Sequence, residues 1–253
     1  MSKRRIFAMG FATLIALLVL AGCAAPLNPT EAARSDAPAS RAVAGAGAHH
    51  DVSDVYAWPP IYPDQIEGAR ATLVRNRNGA RLNIQTRELE PGHTYSVWMV
   101  VFDAPENCAE PYACGLDDII PLMEDPGAEN LSEATVFGAV GGGLAGGTGS
   151  ATFAGHAKPG DEANDVLFGD GSLDNPMTAE VHFVIRTHGP AIPGMIHEQI
   201  STFNGGCEEG EPNEGLCDDL QFGVFQSPEA MSIDVSSSHR EPAPRDDLER
   251  VFG

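Results

Sequence analysis

The stretch that decides the fold is ATLVRNRNGARLNIQT, residues 71–86. Its centre is Asn78-Gly79, which lies between two runs that alternate apolar and polar residues. Asn-Gly in that position is a strong signal for a two-residue hairpin turn, because both turn positions need a positive φ. After the turn, Leu82, Ile84 and Thr86 fall on one face of a strand, since side chains alternate along β-structure. The sequence therefore predicts an antiparallel β-hairpin.

Further strand-like runs follow along the chain. Residues 94–102, TYSVWMVVF, are apolar on both faces beyond their start. That pattern is typical of a central strand that is buried on both sides. The other runs, which are separated by glycine, proline and acidic turn signals, cover residues 134–140, 150–156, 179–187, 195–203, 220–225 and 231–235.

The fold class follows from this spacing of short strands. No segment with helical periodicity is longer than about two turns, and turn signals separate the strand-like runs. The sequence therefore predicts an all-β fold, an antiparallel β-sandwich of immunoglobulin-like or jelly-roll style, over residues 54–235. Residues 103–133 form a long acidic connection in which a helical turn is expected near 116–123. Residues 236–253 are expected to be a loose polar tail.

The chain begins with a basic segment and a short apolar run. Lys3, Arg4 and Arg5 precede residues 6–20, which contain no charge. A membrane-spanning helix needs about 20 residues, so this order of charges, apolar run and small residues indicates an export signal. The run ends in Leu20-Ala21-Gly22-Cys23, which resembles the lipobox of bacterial lipoproteins residue for residue.

The resemblance to lipoproteins implies a signal peptide at residues 1–22 that is removed before Cys23. In that family the cysteine is acylated on its thiol and on its new amino group, so Cys23 would anchor the protein to the membrane. Ala24 at the next position implies sorting to the outer membrane, with the domain facing the periplasm or the cell surface. Residues 23–53 are rich in Ala, Pro, Ser and Gly and are expected to be a flexible tether.

Parts of the predicted domain also resemble uncharacterised exported bacterial proteins. The segments are LEPGHTYSVWMVVF (89–102), RTHGPAIPG (186–194), EQISTFNGGC (198–207) and CDDLQF (217–222). This resemblance implies export and an all-β fold, and it assigns no catalytic residue.

The charge of the chain argues against nucleic acid as a partner. The formal net charge is −21, and removal of residues 1–22, which hold three cations and no acidic residue, changes it to −24. Binding to a phosphate backbone depends on Lys and Arg, which release counterions, and a strongly negative field repels it. An anionic lipid surface would repel the domain too, so the acyl chains would hold it at the membrane.

The cysteines fit an oxidising compartment. Besides Cys23 the chain has Cys108, Cys114, Cys207 and Cys217, an even number that allows three pairings. We favour the local pairs Cys108–Cys114 and Cys207–Cys217, each of which closes a short acidic loop. A zinc site of four thiolates is the alternative, although five and nine intervening residues do not fit the short C-x₂₋₄-C spacing of such sites.

Two histidines are candidate metal ligands. If residues 195–203 turn back on the strand 179–188, His188 and His197 become diagonal neighbours that could share Cu or Zn with a third ligand. His182 is about 20 Å from His188 along the same strand and could not share that ion. The favoured alternative is a polar, solvent-facing strand surface on which Arg186 packs beside an imidazole.

Two other motifs predict no specific chemistry. Residues 141–146, GGGLAG, fit G-x-G-x-x-G, but no helix follows them, so a flexible hairpin connection is the better interpretation. Acidic loops at 161–174 and 208–219 could offer oxygens to Ca²⁺, yet neither has the spacing of a calcium loop. Solvated loop carboxylates are the favoured interpretation there.

The sequence thus predicts a lipid-anchored envelope protein with a non-enzymatic β-sandwich that serves binding or structural purposes. An envelope protein, a glycan or a small ligand could be the partner, and no cofactor is indicated. The alternative is a metal-binding envelope protein (Cu/Zn or Ca), a class that includes metalloenzymes. The sequence leaves open whether the protein is an enzyme.

Overall fold

Two antiparallel β-sheets packed face to face form the described part of the chain. The computed structural model describes residues 47–60, 63–125, 127–161 and 165–230. The strands are β1 (His49–Ser53), β2 (Tyr56–Ala57), β3 (Arg70–Asn76), β4 (Gly79–Thr86), β5 (His93–Phe102), β6 (Ala134–Leu144), β7 (Ala151–Ala157), β8 (Glu180–Pro190) and β9 (Asp218–Phe225). The helices are α1 (Leu116–Glu124) and α2 (Ile196–Ser201).

The strand order confirms the predicted sandwich. One sheet has four strands in the order β1-β3-β4-β7, and the other has five in the order β2-β9-β8-β5-β6. Every pairing between neighbouring strands is antiparallel. As predicted, β5 has a neighbour on each side and is buried on both faces.

The predicted hairpin is present, with its turn one residue earlier than expected. Asn76 pairs with Gly79, so Arg77 and Asn78 are the two central residues, and only Gly79 of these four has a positive φ. Glycine is needed there because a Cβ would lie 2.2 Å from the carbonyl oxygen of Ala157. Along β4 the buried positions alternate with exposed ones as predicted.

Alternation along the central strands of the five-stranded sheet creates two separate cores. Tyr95, Val97 and Met99 of β5 face the four-stranded sheet and join the apolar core between the sheets. Trp98 and Phe102 point the other way and pack beneath loops and α1 in a second apolar cluster. The outer face of this sheet is therefore covered along β5 rather than open to solvent.

The tether boundary predicted at residue 53 is too late. His49–Ser53 form β1, which pairs with β3 at the edge of the four-stranded sheet. Composition favours disorder here, but the carboxylate of Asp51 lies 2.8 Å from the buried guanidinium of Arg75. That ion pair and the ladder order a segment with almost no apolar residues.

The glycine-rich segment 141–146 is not simply a flexible connection, because β6 extends to Leu144 and pairs with β5. Gly142 lies beneath α2, and a Cβ there would be 2.8 Å from the Cβ of Ile200. The glycine therefore serves close packing of a helix on the strand.

The remaining predictions concern helices and the chain ends. The helical turn expected near residues 116–123 is α1, whose first turn is held by Asp118, which accepts a hydrogen bond from the amide of Gly115 at 2.9 Å. Among the described residues no helix is long and apolar enough to cross a membrane. The signal peptide, Cys23, most of the tether, the run 231–235 and the tail 236–253 lie outside the described residues.

Candidate functional site

The outer face of the five-stranded sheet carries a group of titratable and hydrogen-bonding side chains. Because side chains alternate along a strand, β8 directs Glu180, His182, Arg186 and His188 to this face. Ser96 of β5 pairs with Arg186 and points the same way. These titratable and hydrogen-bonding side chains thus lie in a row along the sheet, beneath the covering loops.

His188 is at the centre of a buried hydrogen-bond chain. Its Nε2 lies 2.7 Å from Ser96 Oγ, and Trp98 Nε1 donates to that same oxygen at 2.8 Å. On the other side, His188 Nδ1 lies 3.1 Å from the carbonyl oxygen of Gly205. A carbonyl only accepts, so we assign the proton to Nδ1 and let Ser96 donate to Nε2.

Burial, rather than the hydrogen bonds, keeps the imidazole neutral, since the hydrogen bond to the Gly205 carbonyl by itself raises the pKa of His188. Burial lowers the pKa of His188 to about 4, and the neighbouring charge of Arg186 acts in the same direction. A serine beside a neutral histidine is also the arrangement of a nucleophile and its base. Here, however, Ser96 and His188 both have 0% of their surface exposed, so a substrate has no access to the hydroxyl. The Ser96–His188 pair instead links β5 to β8 and, through Gly205, to the covering loop.

The prediction that His188 faces solvent is therefore wrong. The covering segment 202–217 buries it, and one sequence cannot show which loop will cover a strand. Arg186 packs on the ring of Phe203, with Cζ 3.9 Å from the ring centroid, rather than beside an imidazole. Its Nε donates to the carbonyl of Phe203 at 2.9 Å and its Nη1 to Asp219 at 2.7 Å.

Both predicted disulfides are present. Cys108–Cys114 and Cys207–Cys217 have Cα–Cα distances of 5.2 and 5.8 Å, within the usual range for disulfides. The second disulfide lies against the buried histidine, with Cys217 Sγ 3.3 Å from His188 Nδ1. The first is held to the sheet because Glu180 accepts a hydrogen bond from the amide of Cys114 at 3.1 Å.

The expected strand at 195–203 is instead a helix, α2. Gly194, with φ +90°, ends the turn after β8 and lets the chain rise over the sheet. Gln199 then points inward, where its side-chain oxygen Oε1 accepts a hydrogen bond from the backbone amide of Ile192 at 2.9 Å. A strand would not place Gln199 over that turn. The buried hydrogen bond between Gln199 and Ile192 therefore favours a helix at these residues.

The candidate pairing of His188 with His197, which was not the favoured interpretation, depends on that strand and does not form. His197 lies on the exposed side of α2, whereas His188 is buried. Two groups of three metal-ligating side chains converge among the described residues. They are His188 with Cys207 and Cys217, and Cys108 with Cys114 and Asp118.

Several carboxylates of the acidic loops that the structure describes accept hydrogen bonds from backbone amides. Asp165 accepts from the amide of Phe203 at 2.8 Å, and Glu214 accepts from the amide of Gly210 at 2.9 Å. Neither converging group is built from carboxylates alone. Within the described residues, these side chains stabilise loops rather than surround one point.

Two buried amides, missed by the sequence analysis, fix the turn that follows β8. Gln199 Nε2 donates to the carbonyls of His188 and Pro190 at 3.2 and 3.1 Å. Asn213 Nδ2 donates to the same carbonyls at 2.6 and 2.8 Å. No sequence signal marks either amide. Ser96 did have one, since it is a polar residue inside an otherwise apolar strand.

A groove of about 700 Å³ lies beside α2, on the solvent side of this network. It is lined by Asp165, Leu167, His197, Glu198, Ser201, Thr202, Phe203, Asn204, Gly205 and Glu208. Three of the lining side chains are carboxylates and one is an imidazole. The groove is therefore an open concavity with both apolar and acidic lining, and buried hydrogen bonds fix its floor at Phe203 and Gly205. Compared with protein-family models, curated proteins and solved structures, the chain has no significant match in any of the three.

Proposed function

We propose that the protein is a lipid-anchored binding module of the bacterial cell envelope. In this proposal acyl chains on Cys23 hold it at the outer membrane, and the β-sandwich presents the groove beside α2 to a ligand. The groove carries the proposal, because it is an open, preformed concavity whose walls are fixed from beneath. The module is non-enzymatic, since the serine–histidine pair under the groove is sealed from solvent.

The proposed location is supported by the chain's first 23 residues and by its cysteines. A basic start, a short apolar run and the Leu20–Cys23 lipobox together favour lipoprotein export. Two disulfides within the domain are compatible with an extracytoplasmic location, because thiols stay reduced in the cytosol.

Binding is supported by the rigidity of the groove. Phe203 is held between Arg186, which stacks on its ring, and Trp98, whose ring meets it edge to face at 5.1 Å. The carbonyl of Gly205 is fixed by His188. A preorganised wall loses little conformational entropy when a ligand binds, so more of the contact energy appears as affinity.

The charge of the groove favours a cationic ligand. Asp165, Glu198 and Glu208 line it, and Arg186 beneath it is already paired with Asp219. The formal net charge of the chain after removal of residues 1–22, −24, adds a long-range attraction for cations. We therefore infer a small polyamine-like or basic peptide ligand.

The anchor is tested by fractionating cells that express Cys23→Ala. We expect this variant in the soluble fraction, because the acyl chains are the proposed link to the bilayer. Ala24→Ser, which keeps the lipobox cysteine, should remain with the membranes. Membrane retention of Cys23→Ala would refute the anchor.

Ligand binding is tested by calorimetric titration of the Cys23→Ala protein with spermidine at about 0.15 M salt, where long-range attraction is screened. Glu198→Gln/Glu208→Gln should weaken binding at least about fivefold. The matched control Glu67→Gln/Glu129→Gln removes the same charge at exposed sites outside the groove and should change affinity less than about twofold. Equal losses of affinity in both variants, or no binding of spermidine by the parent, would refute the proposal that the groove is the binding site.

A further inference from the structure

The Cys207–Cys217 disulfide and His188 form a converging set of ligand atoms. Both Sγ atoms and one imidazole nitrogen lie within 4.8 Å of one another. Cys217 Sγ is 3.3 Å from His188 Nδ1, although sulfur is a weak hydrogen-bond acceptor. While the S–S bond exists, these sulfurs have no charge with which to bind a cation.

The spacing fits a tetrahedral metal centre once the S–S bond is opened. With Zn–S about 2.3 Å and Zn–N about 2.05 Å, a tetrahedral angle separates the sulfur and nitrogen ligands by about 3.6 Å. The Cys217–His188 contact needs to widen by only a few tenths of an ångström from 3.3 Å. The two sulfurs must separate from bonding distance to about 3.8 Å, a change that side-chain rotation can supply.

Metal binding at His188 Nδ1 breaks the hydrogen bond to the Gly205 carbonyl, 3.1 Å away, so that carbonyl must move aside. The other side of the ring stays supported. Ser96 Oγ has two lone pairs, so it can accept from both Trp98 and a protonated His188 Nε2. Zinc-bound histidines usually donate their second ring nitrogen in this way. The cysteines are half-buried, unlike His188, which leaves a route for an ion from the loop side.

We propose that reduction of Cys207–Cys217 creates a Zn²⁺ site made of two thiolates and His188 Nδ1. A phosphine and water reduce the disulfide to two thiols and yield the phosphine oxide. Zn²⁺ then displaces one proton from each thiol, while the imidazole proton moves from Nδ1 to Nε2. A water molecule fills the fourth position. The oxidised chain is the closed form of the site and the reduced chain is its metal-binding form.

The other disulfide provides a matched control. Cys108 and Cys114 converge with Asp118, but no imidazole joins them. Asp118 already accepts hydrogen bonds from the amides of Ala109 and Gly115, at 2.7 and 2.9 Å. Reduction of this pair therefore supplies two thiols without the nitrogen ligand.

The experiment uses full-length Cys23→Ala chains, which lack the lipobox thiol. One carries Cys108→Ser/Cys114→Ser and keeps only the site pair, and the other carries Cys207→Ser/Cys217→Ser and keeps only the control pair. Each is reduced with a phosphine and titrated with Co²⁺, whose thiolate charge-transfer and d–d absorption report tetrahedral binding, and then with Zn²⁺. Circular dichroism follows the fold.

We expect one Co²⁺ per reduced site-pair chain, its displacement by Zn²⁺, and binding at least about tenfold weaker by the oxidised chain or by the control-pair chain. His188→Gln in the site-pair chain should weaken binding by about tenfold or more. If the reduced chain binds no Co²⁺, whether folded or unfolded, the proposal fails. It also fails if the control-pair chain binds equally well, because any two thiols would then suffice.

Discussion

The two faces of the five-stranded sheet are stabilised by different forces. On the inner face, Tyr95, Met99, Phe183 and other apolar side chains fill the space between the sheets. On the outer face, the same strands present Ser96 and His188 within a network of hydrogen bonds, with disulfides in the covering loops. A single residue of register therefore separates the apolar core between the sheets from a face on which a buried polar network adjoins a second apolar cluster.

Because the two faces are stabilised differently, changes of pH, of redox state and of single side chains should affect their stability differently. Apolar burial depends on area removed from water and changes little with pH or redox state. Buried polar groups instead lose free energy whenever one partner changes its protonation or is removed. We expect the outer face to respond to acid and to loss of single hydrogen bonds, and the inner face to respond mainly to loss of volume.

The largest effect is expected from Phe183→Ala on the inner face. Phe183 has 0% exposure and its ring lies 6.0 Å from that of Phe225. Truncation leaves a cavity and should lower the free energy of unfolding by about 3–5 kcal/mol, as measured by urea denaturation. The loss should be similar at pH 7 and pH 5, and a loss that depended strongly on pH would break the comparison.

The next effect is acid sensitivity at His188. Its pKa is about 4 in the folded state and 6.5 ordinarily, so the unfolded chain binds more protons between these values. Stability should therefore fall as the pH decreases from 6.5 to 4, and His188 should account for about 3 kcal/mol of that loss.

The measurement compares urea unfolding of the parent and of His188→Gln across this pH range. The variant should be less stable at pH 7 but should lose less stability on acidification. His197→Gln, at the exposed histidine of α2, should keep the parent's pH dependence and change stability by less than about 0.5 kcal/mol. Parallel pH profiles for the parent and His188→Gln would contradict the assignment.

The smallest effects are expected at Gln199 and Asn213, because they donate to the same two carbonyls. Either Gln199→Ala or Asn213→Ala leaves each carbonyl with one side-chain donor and should cost about 1–2 kcal/mol. The double variant leaves both carbonyls without a side-chain donor. Its loss should exceed the sum of the single losses by about 1 kcal/mol. Strict additivity would mean that the two amides act independently.

The sequence allowed good prediction wherever local patterns coincide with tertiary contacts. The central strand and the hairpin were predictable because periodicity two reports burial directly. The two disulfides were predictable because short loops bring their cysteines together whatever the rest of the fold does. The extent of β1 and the helix α2 were not, because Asp51 and Gln199 acquire their partners, Arg75 and the turn after β8, only in the folded chain.

The candidate site shows the same limit more strongly. Periodicity placed His188 and Arg186 on one face, but the prediction that this face is open to solvent was wrong. The convergence of His188 with Cys217 joins positions 29 residues apart. No spacing rule in one sequence encodes a contact of that kind.

By itself the sequence determined the hairpin, the central strand, the β-sandwich and the two short disulfide loops, because each depends on side-chain alternation or on close neighbours in the chain. Only the tertiary structure decided which face is covered, that His188 is buried and neutral, and that an acidic groove lies beside α2. These features depend on how loops that are distant in sequence fold over the sheet, and burial and desolvation exist only once that packing has formed.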